Sequence, residues 1–230
     1  MTLKYMILGG AGAMGRIIVK DLVETADPES EIVIADYDLK KAEELARSYQ
    51  SPRVKAVFVD VRDTENAIKA VQGSFVLINS VQYQMNVSIM GLALAARCHY
   101  IDLGGLFHVT RKQLELDEDF RAIGKTALLG MGAAPGITNI LARFGADKLE
   151  RVTEIHARVG DMDKTKYESA AALPVAYSLK TVLEEFSLEP AVFTKGDFKF
   201  VAPLSGETPH AFPAPVGTLK PLYTIHSEVA

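Results

Sequence analysis

Gly10, Gly12 and Gly15 stand in the run Gly10-Ala11-Gly12-Ala13-Met14-Gly15, and Asp36 follows about 20 residues later, the G-x-G-x-x-G spacing that can seat a dinucleotide. Each residue type has a mechanical reason to be there. Gly10 permits a tight strand-to-helix turn, Gly12 lets a diphosphate approach bare backbone, and Gly15 lets helix and strand pack closely. The peptide N–H groups at Ala13, Met14 and Gly15 would open the helix and, with its positive dipole end, face the phosphates. Asp36 would accept the hydroxyls of the adenosine ribose. A carboxylate there repels a 2′-phosphate, so these residues favour NAD over NADP. A flavin nucleotide would fit the same turn.

The elements around this run suit it. Lys4 to Gly9 is a short apolar strand, Arg16 to Ala26 has helical apolar spacing, and Glu31 to Asp36 is a second strand. Asp38 caps a charged helix. Val54 to Asp60 is a third strand. Its end places Asp60 and Val61 beside the adenine, although Asp60 would equally cap the helix beginning near Asp63. Phe75 to Asn79 is a fourth strand whose polar continuation, from Ser80 to Asn86, opens where ligands bind in such sheets. A helix over 87–97, a strand over 100–105, a helix over 112–123 and a strand over 126–131 complete the alternation. Strand and helix alternating six times predicts an α/β fold: a Rossmann-type, doubly wound, mostly parallel sheet.

Beyond that the pattern changes. Gly132 to Asn139 is a Pro-Gly turn before a helix. Residues 152–160 alternate with period two, which predicts a half-buried strand. A helix is expected over 177–186, a hairpin around Lys195-Gly196-Asp197 and a terminal strand over 222–230. The division is read as a dinucleotide-binding domain over 1–145 and the start of an α+β domain over 146–230. The strand-like end suggests a truncated chain.

Composition sets outer limits. The chain has 230 residues, 48% of them hydrophobic and 23% charged, as in an ordinary globular protein. A formal charge of −4 favours neither nucleic acid nor an anionic membrane as partner. Cys98 is the sole cysteine, so no intramolecular disulfide can form, and a cytoplasmic home is expected. Its place at the end of an alanine-rich helix reads as packing rather than as a nucleophile. No metal site is expected, because the histidines are scattered.

These residues together resemble the saccharopine dehydrogenase-like oxidoreductases, in the lysine 6-dehydrogenase-type branch. The resemblance rests on Gly10 to Gly15, Tyr83 after the fourth strand, Asp102-Leu103-Gly104-Gly105, and the G-x-x-P-G-x-x-N turn from Gly132 to Asn139. Pro190-Ala191-Val192 and Pro203-Leu204-Ser205 add to it. It implies a Rossmann domain followed by a domain for substrate binding and dimerisation, an amino-acid or imine substrate, and a nicotinamide cofactor. Saccharopine reductases carry an acid before the Pro-Gly; here that position is Ala134. Family members are also longer.

Amine oxidation needs a base and an anchor for the substrate's charges. Tyr83 aligns with a substrate-contacting tyrosine of the family. Asp102 would bind an ammonium or act as base, or simply serve as a turn acid. His108 belongs to the residue type that titrates in the useful range. Gly136 and Asn139 sit at a helix N-terminus that would hold a carboxylate. The expectation is an NAD-dependent oxidoreductase for the amine of a small, lysine-like amino acid. An NADP-dependent imine reductase of the saccharopine or polyamine type, and a non-catalytic NAD-binding module, are the alternatives.

Overall fold

The structure is a computed structural model that describes residues 2–166 and 178–230. The described chain parts into two compact units. One runs to Gly105 and takes in Val109–Met131; the other comprises Leu106–His108 and Gly132–Ala230.

The first unit is a six-stranded parallel sheet in the order β3-β2-β1-β4-β5-β6. Its strands are β1 (Lys4–Leu8), β2 (Glu31–Asp36), β3 (Val54–Phe58), β4 (Val76–Asn79), β5 (His99–Asp102) and β6 (Ala127–Leu128). The helices are α1 (Ala13–Thr25), α2 (Leu39–Ser48), α3 (Thr64–Val71), α4 (Asn86–Ala96), α5 (Phe107–Leu114), counted with this unit from Val109 on, and α6 (Asp117–Ala122). The expected Rossmann-type α/β sheet is therefore present. Consecutive residues of one strand feed opposite faces. Met6, Leu8, Val33, Ala35 and Leu77 pack with α3, α4 and α6. Ile7, Ile32, Ile34, Val76 and Ile78 pack with Val19 of α1 and with Ala42 and Leu45 of α2. An alternation with both sets buried is what a sheet covered on two sides requires. Each fully buried Ile or Leu contributes about 1.5–3 kcal/mol.

Register brings the polar strand ends to one edge. Leu8 lies opposite Ala35 and Asn79, Asn79 opposite Asp102, and Asp36 opposite Phe58. The chain reverses its order between β1 and β4, so the crevice at the carboxyl edge opens above those two strands.

Two expectations within this unit need correction. The helix expected over 112–123 is two helices, with the break at Glu115 and Leu116. No glycine or proline marks it; Gln113, drawn fully into the core, fixes α5 from within. The sixth strand is two residues long rather than six.

The second unit holds α7 (Ile137–Ala146), α8 (Leu179–Ser187), the antiparallel pair β7 (Ala191–Thr194) and β8 (Asp197–Phe200), and the pair β9 (His210–Ala211) and β10 (Thr218–Leu219). The hairpin turns at Lys195 and Gly196, both at positive φ, as expected. The helix expected from Tyr177 begins outside the described residues. The strand expected over 152–160 does not form: Ile155 and Val159 are exposed, and no described strand pairs with the segment. A half-buried strand needs a neighbour to take its backbone hydrogen bonds, and period-two alternation cannot supply one. The strand expected over 222–230 does not form: Tyr223 exchanges backbone hydrogen bonds with Leu204 and Ser205, and Ile225 N–H donates to the Glu185 carbonyl.

Cys98 is fully buried, and burial pushes its thiol up to about 11, which fits packing rather than reactivity. Among the described residues no helix is long and apolar enough to cross a membrane, and no cluster of ligating side chains could hold a metal.

Candidate functional site

The turn after β1 is held first by its own backbone. Gly12 N–H donates to the Gly9 carbonyl at 3.0 Å, and Gly10 N–H donates to the Ala35 carbonyl at 3.3 Å. A Cβ on Gly15 would run into the Gly9 carbonyl oxygen and lie 2.6 Å from Gly10 Cα. A Cβ on Gly12 would meet only the Gly9 carbonyl oxygen, at 3.1 Å. Gly15 therefore serves close packing, and Gly12 keeps a surface bare, which are the separate roles the spacing predicts. Gly12, Ala13 and Met14 are exposed. Among the described residues no protein acceptor takes the N–H groups of Ala13, Met14 and Gly15, so the opening turn of α1 keeps donors unspent, two of them on exposed residues.

Asp36 ends β2 beside this turn. Its Oδ2 accepts the Ala11 N–H at 3.0 Å and its Oδ1 accepts the Asp38 N–H at 2.9 Å. Each oxygen retains a lone pair, which is the capacity a ribose diol needs. Ser80 closes the other side. Its hydroxyl lies 2.8 Å from the Leu8 carbonyl oxygen and 3.1 Å from that of Gly9. The side chain expected to face a cofactor is thus turned to holding the turn in place.

Asp60 does not cap α3; Asp63 does, accepting the Asn66 N–H. Asp60 instead binds Arg62 through both oxygens, each at 2.8 Å, and the Arg62 side chain lowers its carboxyl below the usual range. The Arg62 guanidinium lies 5.2 Å above the Tyr37 ring, and Tyr37 sits 5.7 Å from Phe58. Tyr37 and Phe58 are largely exposed. This cation-topped aromatic shelf, beside the ends of β2 and β3, was not legible because its members meet only through the fold. Large aromatics at or just past strand ends were the available signal. Val61 is half buried against the core.

Asp102 takes the place of the turn acid, the alternative to an ammonium ligand or a base. It is 1% exposed. Its Oδ1 accepts the N–H groups of Gly104 and Gly130, both at 2.8 Å. Its Oδ2 accepts the Tyr100 hydroxyl at 3.0 Å and the Gln113 amide at 2.6 Å. Four donors fill a carboxylate, leaving no lone pair for an ammonium or for a proton from substrate. The network goes on. Asn79 donates to Tyr100 Oη at 3.0 Å and to Asn86 Oδ1 at 2.9 Å, and Asn86 donates to the Gly104 carbonyl at 3.2 Å. Burial, with the Asp102 carboxylate beside it, pushes the Tyr100 phenol far above its ordinary range. These buried polar side chains fasten the loops after β4 and β5. Asn79, ending an otherwise apolar strand, was their one sequence signal.

Tyr83 opens a 3-10 turn, Tyr83–Met85, directly after the polar rim of β4, and is 7% exposed. Its Cβ would lie 3.3 Å from a Cβ on Gly105, so the absent side chain at 105 makes room for the ring. His108 is exposed on the first turn of α5. The structure therefore gathers the glycine turn, Asp36 and Ser80 around one crevice, and gives Asp102 to the framework.

In the second unit the Pro-Gly turn has closed on itself. Gly136 N–H donates to Asn139 Oδ1 at 3.1 Å, Ile137 N–H to the Gly132 carbonyl and Thr138 N–H to that of Ala133. Asn139 Nδ2 donates to the Glu228 carbonyl at 3.0 Å. The start of α7 thus spends its donors internally, unlike the start of α1. Further along, His226 Nδ1 lies 2.7 Å from Glu228 Oε2, and Nε2 lies 3.8 Å from Glu185 Oε1.

A cavity of about 480 Å³ lies away from the crevice, among Met90, Gln113, Phe120 and Leu129.

Comparison with known proteins adds to this geometry. The family described as "Saccharopine dehydrogenase NADP binding domain" matches residues 5–128. Carboxyaminopropylagmatine dehydrogenase of Synechocystis sp. is 26% identical over 149 residues, covering 61% of this chain and 37% of that protein. Carboxynorspermidine synthase of Vibrio alginolyticus is 24% identical over 180 residues, covering 67% of this chain and 43% of that protein. The apo structure of the L-Glu-forming saccharopine dehydrogenase of Saccharomyces cerevisiae superposes with a TM-score of 0.64 at 20% identity, covering 93% of this chain and 47% of that one. The chain spans less than half the length of each of these relatives.

Proposed function

The chain belongs to the saccharopine dehydrogenase NADP-binding-domain family, and from that premise we propose that it carries the cofactor seat of an NAD-dependent oxidoreductase acting on the amine of a small, lysine-like amino acid. One observation carries this reading: the unpaired N–H groups of exposed Ala13 and Met14 stand beside an Asp36 carboxylate fixed to the same turn. A diphosphate fits the first, and a ribose diol the second. The family's name specifies NADP. Asp36 argues the other way, since its charge opposes a 2′-phosphate, and the residue in hand is given more weight than the family's name.

A bound nicotinamide supplies the hydride acceptor. This chain's residues do the rest of what is proposed for it. Gly12 keeps side chains off the diphosphate path. Tyr37 and Arg62 flank the adenine, Ser80 braces the turn that closes the crevice, and Tyr83 faces the substrate. Asp102 acts through Gly104 and Gly130 as a positioning residue, and proton transfer is left to Tyr83 or His108. Cytoplasmic location and a homodimer accompany this reading, on the strength of the single cysteine and of the family resemblance.

A second reading is favoured by the names of the two curated relatives, a dehydrogenase for carboxyaminopropylagmatine and a synthase for carboxynorspermidine. In it the substrate is an imine of a carboxylated polyamine, reduced rather than oxidised. A scan of the full-length protein against lysine-like amino acids with NAD, and against polyamine imines with the reduced cofactors, separates the two. Turnover with the amino acids alone supports the first reading. Turnover with the imines alone supports the second. Nucleotide binding with no turnover of either leaves a binding module and contradicts both.

A further inference from the structure

The chain leaves β2 through Asp36-Tyr37-Asp38-Leu39-Lys40-Lys41, two acids followed by two bases. A lysine pair in the first turn of α2, next to the ribose end of a nucleotide seat, would attract a 2′-phosphate if it stood free. A groove of about 280 Å³ opens there, lined by Ala11, Arg16, Lys41, Glu44, Leu45 and Ser48. Ala11 is the residue whose N–H binds Asp36, so this groove begins at the ribose-reading carboxylate.

Lys41 does not stand free. Its Nζ lies 3.0 Å from Asp38 Oδ2, and its backbone N–H donates to Asp38 Oδ1 at 3.1 Å. Asp38 is itself fixed, because its N–H donates to Asp36 Oδ1 at 2.9 Å. One backbone hydrogen bond thus ties the residue that carries the second carboxylate to the first. Asp60 holds Arg62 in the same manner across the aromatic shelf. Arg16, also in the lining of the groove, forms no salt bridge with a carboxylate among the described residues.

We infer that Asp38 is a second discriminator against a 2′-phosphorylated cofactor, acting beside Asp36 both by like charge and by holding Lys41 back from the phosphate position. This rests on the reading that a nicotinamide dinucleotide lies on the Gly10–Gly15 turn with its ribose at Asp36. It goes beyond that reading in assigning selectivity to a residue two positions past the strand end, in the dual role of helix cap and charge screen.

The two roles can be separated, because asparagine caps a helix as well as aspartate does. Asp38→Asn therefore keeps α2 while removing the charge and releasing Lys41. NAD and NADP are titrated calorimetrically into the wild-type chain, Asp38→Asn, and Asp38→Asn with Lys41→Ala, with thermal melts confirming that all are folded. The ratio of NADP to NAD affinity rises about tenfold in Asp38→Asn, the order expected for one like-charge contact at a wet surface, and falls back when Lys41→Ala is added. A ratio that stays within about twofold in a folded Asp38→Asn protein overturns the inference, as does a gain that Lys41→Ala leaves undiminished. Failure of the wild type to bind either nucleotide is a different result: it removes the cofactor reading itself, and the inference with it.

Discussion

The Asp36 carboxylate accepts the Ala11 N–H at 3.0 Å across 25 residues of sequence, tying the end of β2 to the glycine turn that follows β1. The contact gives the acid a fixed height above the turn, so one side chain can both shape the seat and read the ribose. Asp36→Ala removes both functions. NAD affinity falls at least about tenfold, or about 1.4 kcal/mol, while NADP loses less. Calorimetric titration of both nucleotides checks this; equal losses would show that Asp36 does not face the 2′ position.

Gly12 and Gly15 should separate binding from stability. A Cβ on Gly15 meets several backbone atoms under 3 Å, whereas one on Gly12 meets a single carbonyl oxygen at 3.1 Å. Gly15→Val destabilises the unit by about 1–3 kcal/mol, the usual cost of forced overpacking. Gly12→Val changes stability by about 0.5 kcal/mol or less, yet abolishes dinucleotide binding. Urea unfolding and nucleotide titration of the two variants read these effects separately.

Asp102 serves as a buried anchor with four donors. Asp102→Ala strands those donors and costs about 3 kcal/mol or more in unfolding free energy. A loss under about 0.5 kcal/mol would return Asp102 to the list of candidate bases. Asp102→Asn, in the full-length protein, should leave the pH profile of turnover in place.

His226 makes the second unit sensitive to pH. Burial alone would lower its pKa, but the hydrogen bond to Glu228 and the charges of Glu228 and Glu185 outweigh burial and raise it. A raised folded value favours the protonated form in the folded state. The stabilisation is full below the unfolded histidine value of about 6.5 and is lost as pH rises through the folded value. The melting temperature of wild type minus that of His226→Gln should therefore shrink as pH climbs from acid into the alkaline range. A flat difference would show that the ion pairs carry no stability.

Much of the first unit was legible because its strands are short apolar runs with both faces buried, a pattern that needs no knowledge of partners. Gly10 to Gly15 and Asp36 were legible for the same reason: their spacing is local. What escaped was non-local. Gln113 and Asn86 look like ordinary polar helix positions until the fold brings them to Asp102 and Asn79. Tyr37, Arg62 and Phe58 come from different elements and share a surface only once β2 and β3 are paired. Residues 152–160 have the alternation of a strand, but alternation does not provide a neighbour. The Pro-Gly turn was read correctly as a turn before a helix; its use of its own N–H groups depends on Gly132, Ala133 and Asn139 closing around it.

The central claim is tested most directly by titrating NAD into this chain in a calorimeter. One saturable site is expected, with a dissociation constant of about 1 µM to 1 mM, lost in Gly12→Val and weakened in Asp36→Ala. A folded wild-type chain that takes up neither NAD nor NADP would contradict the account.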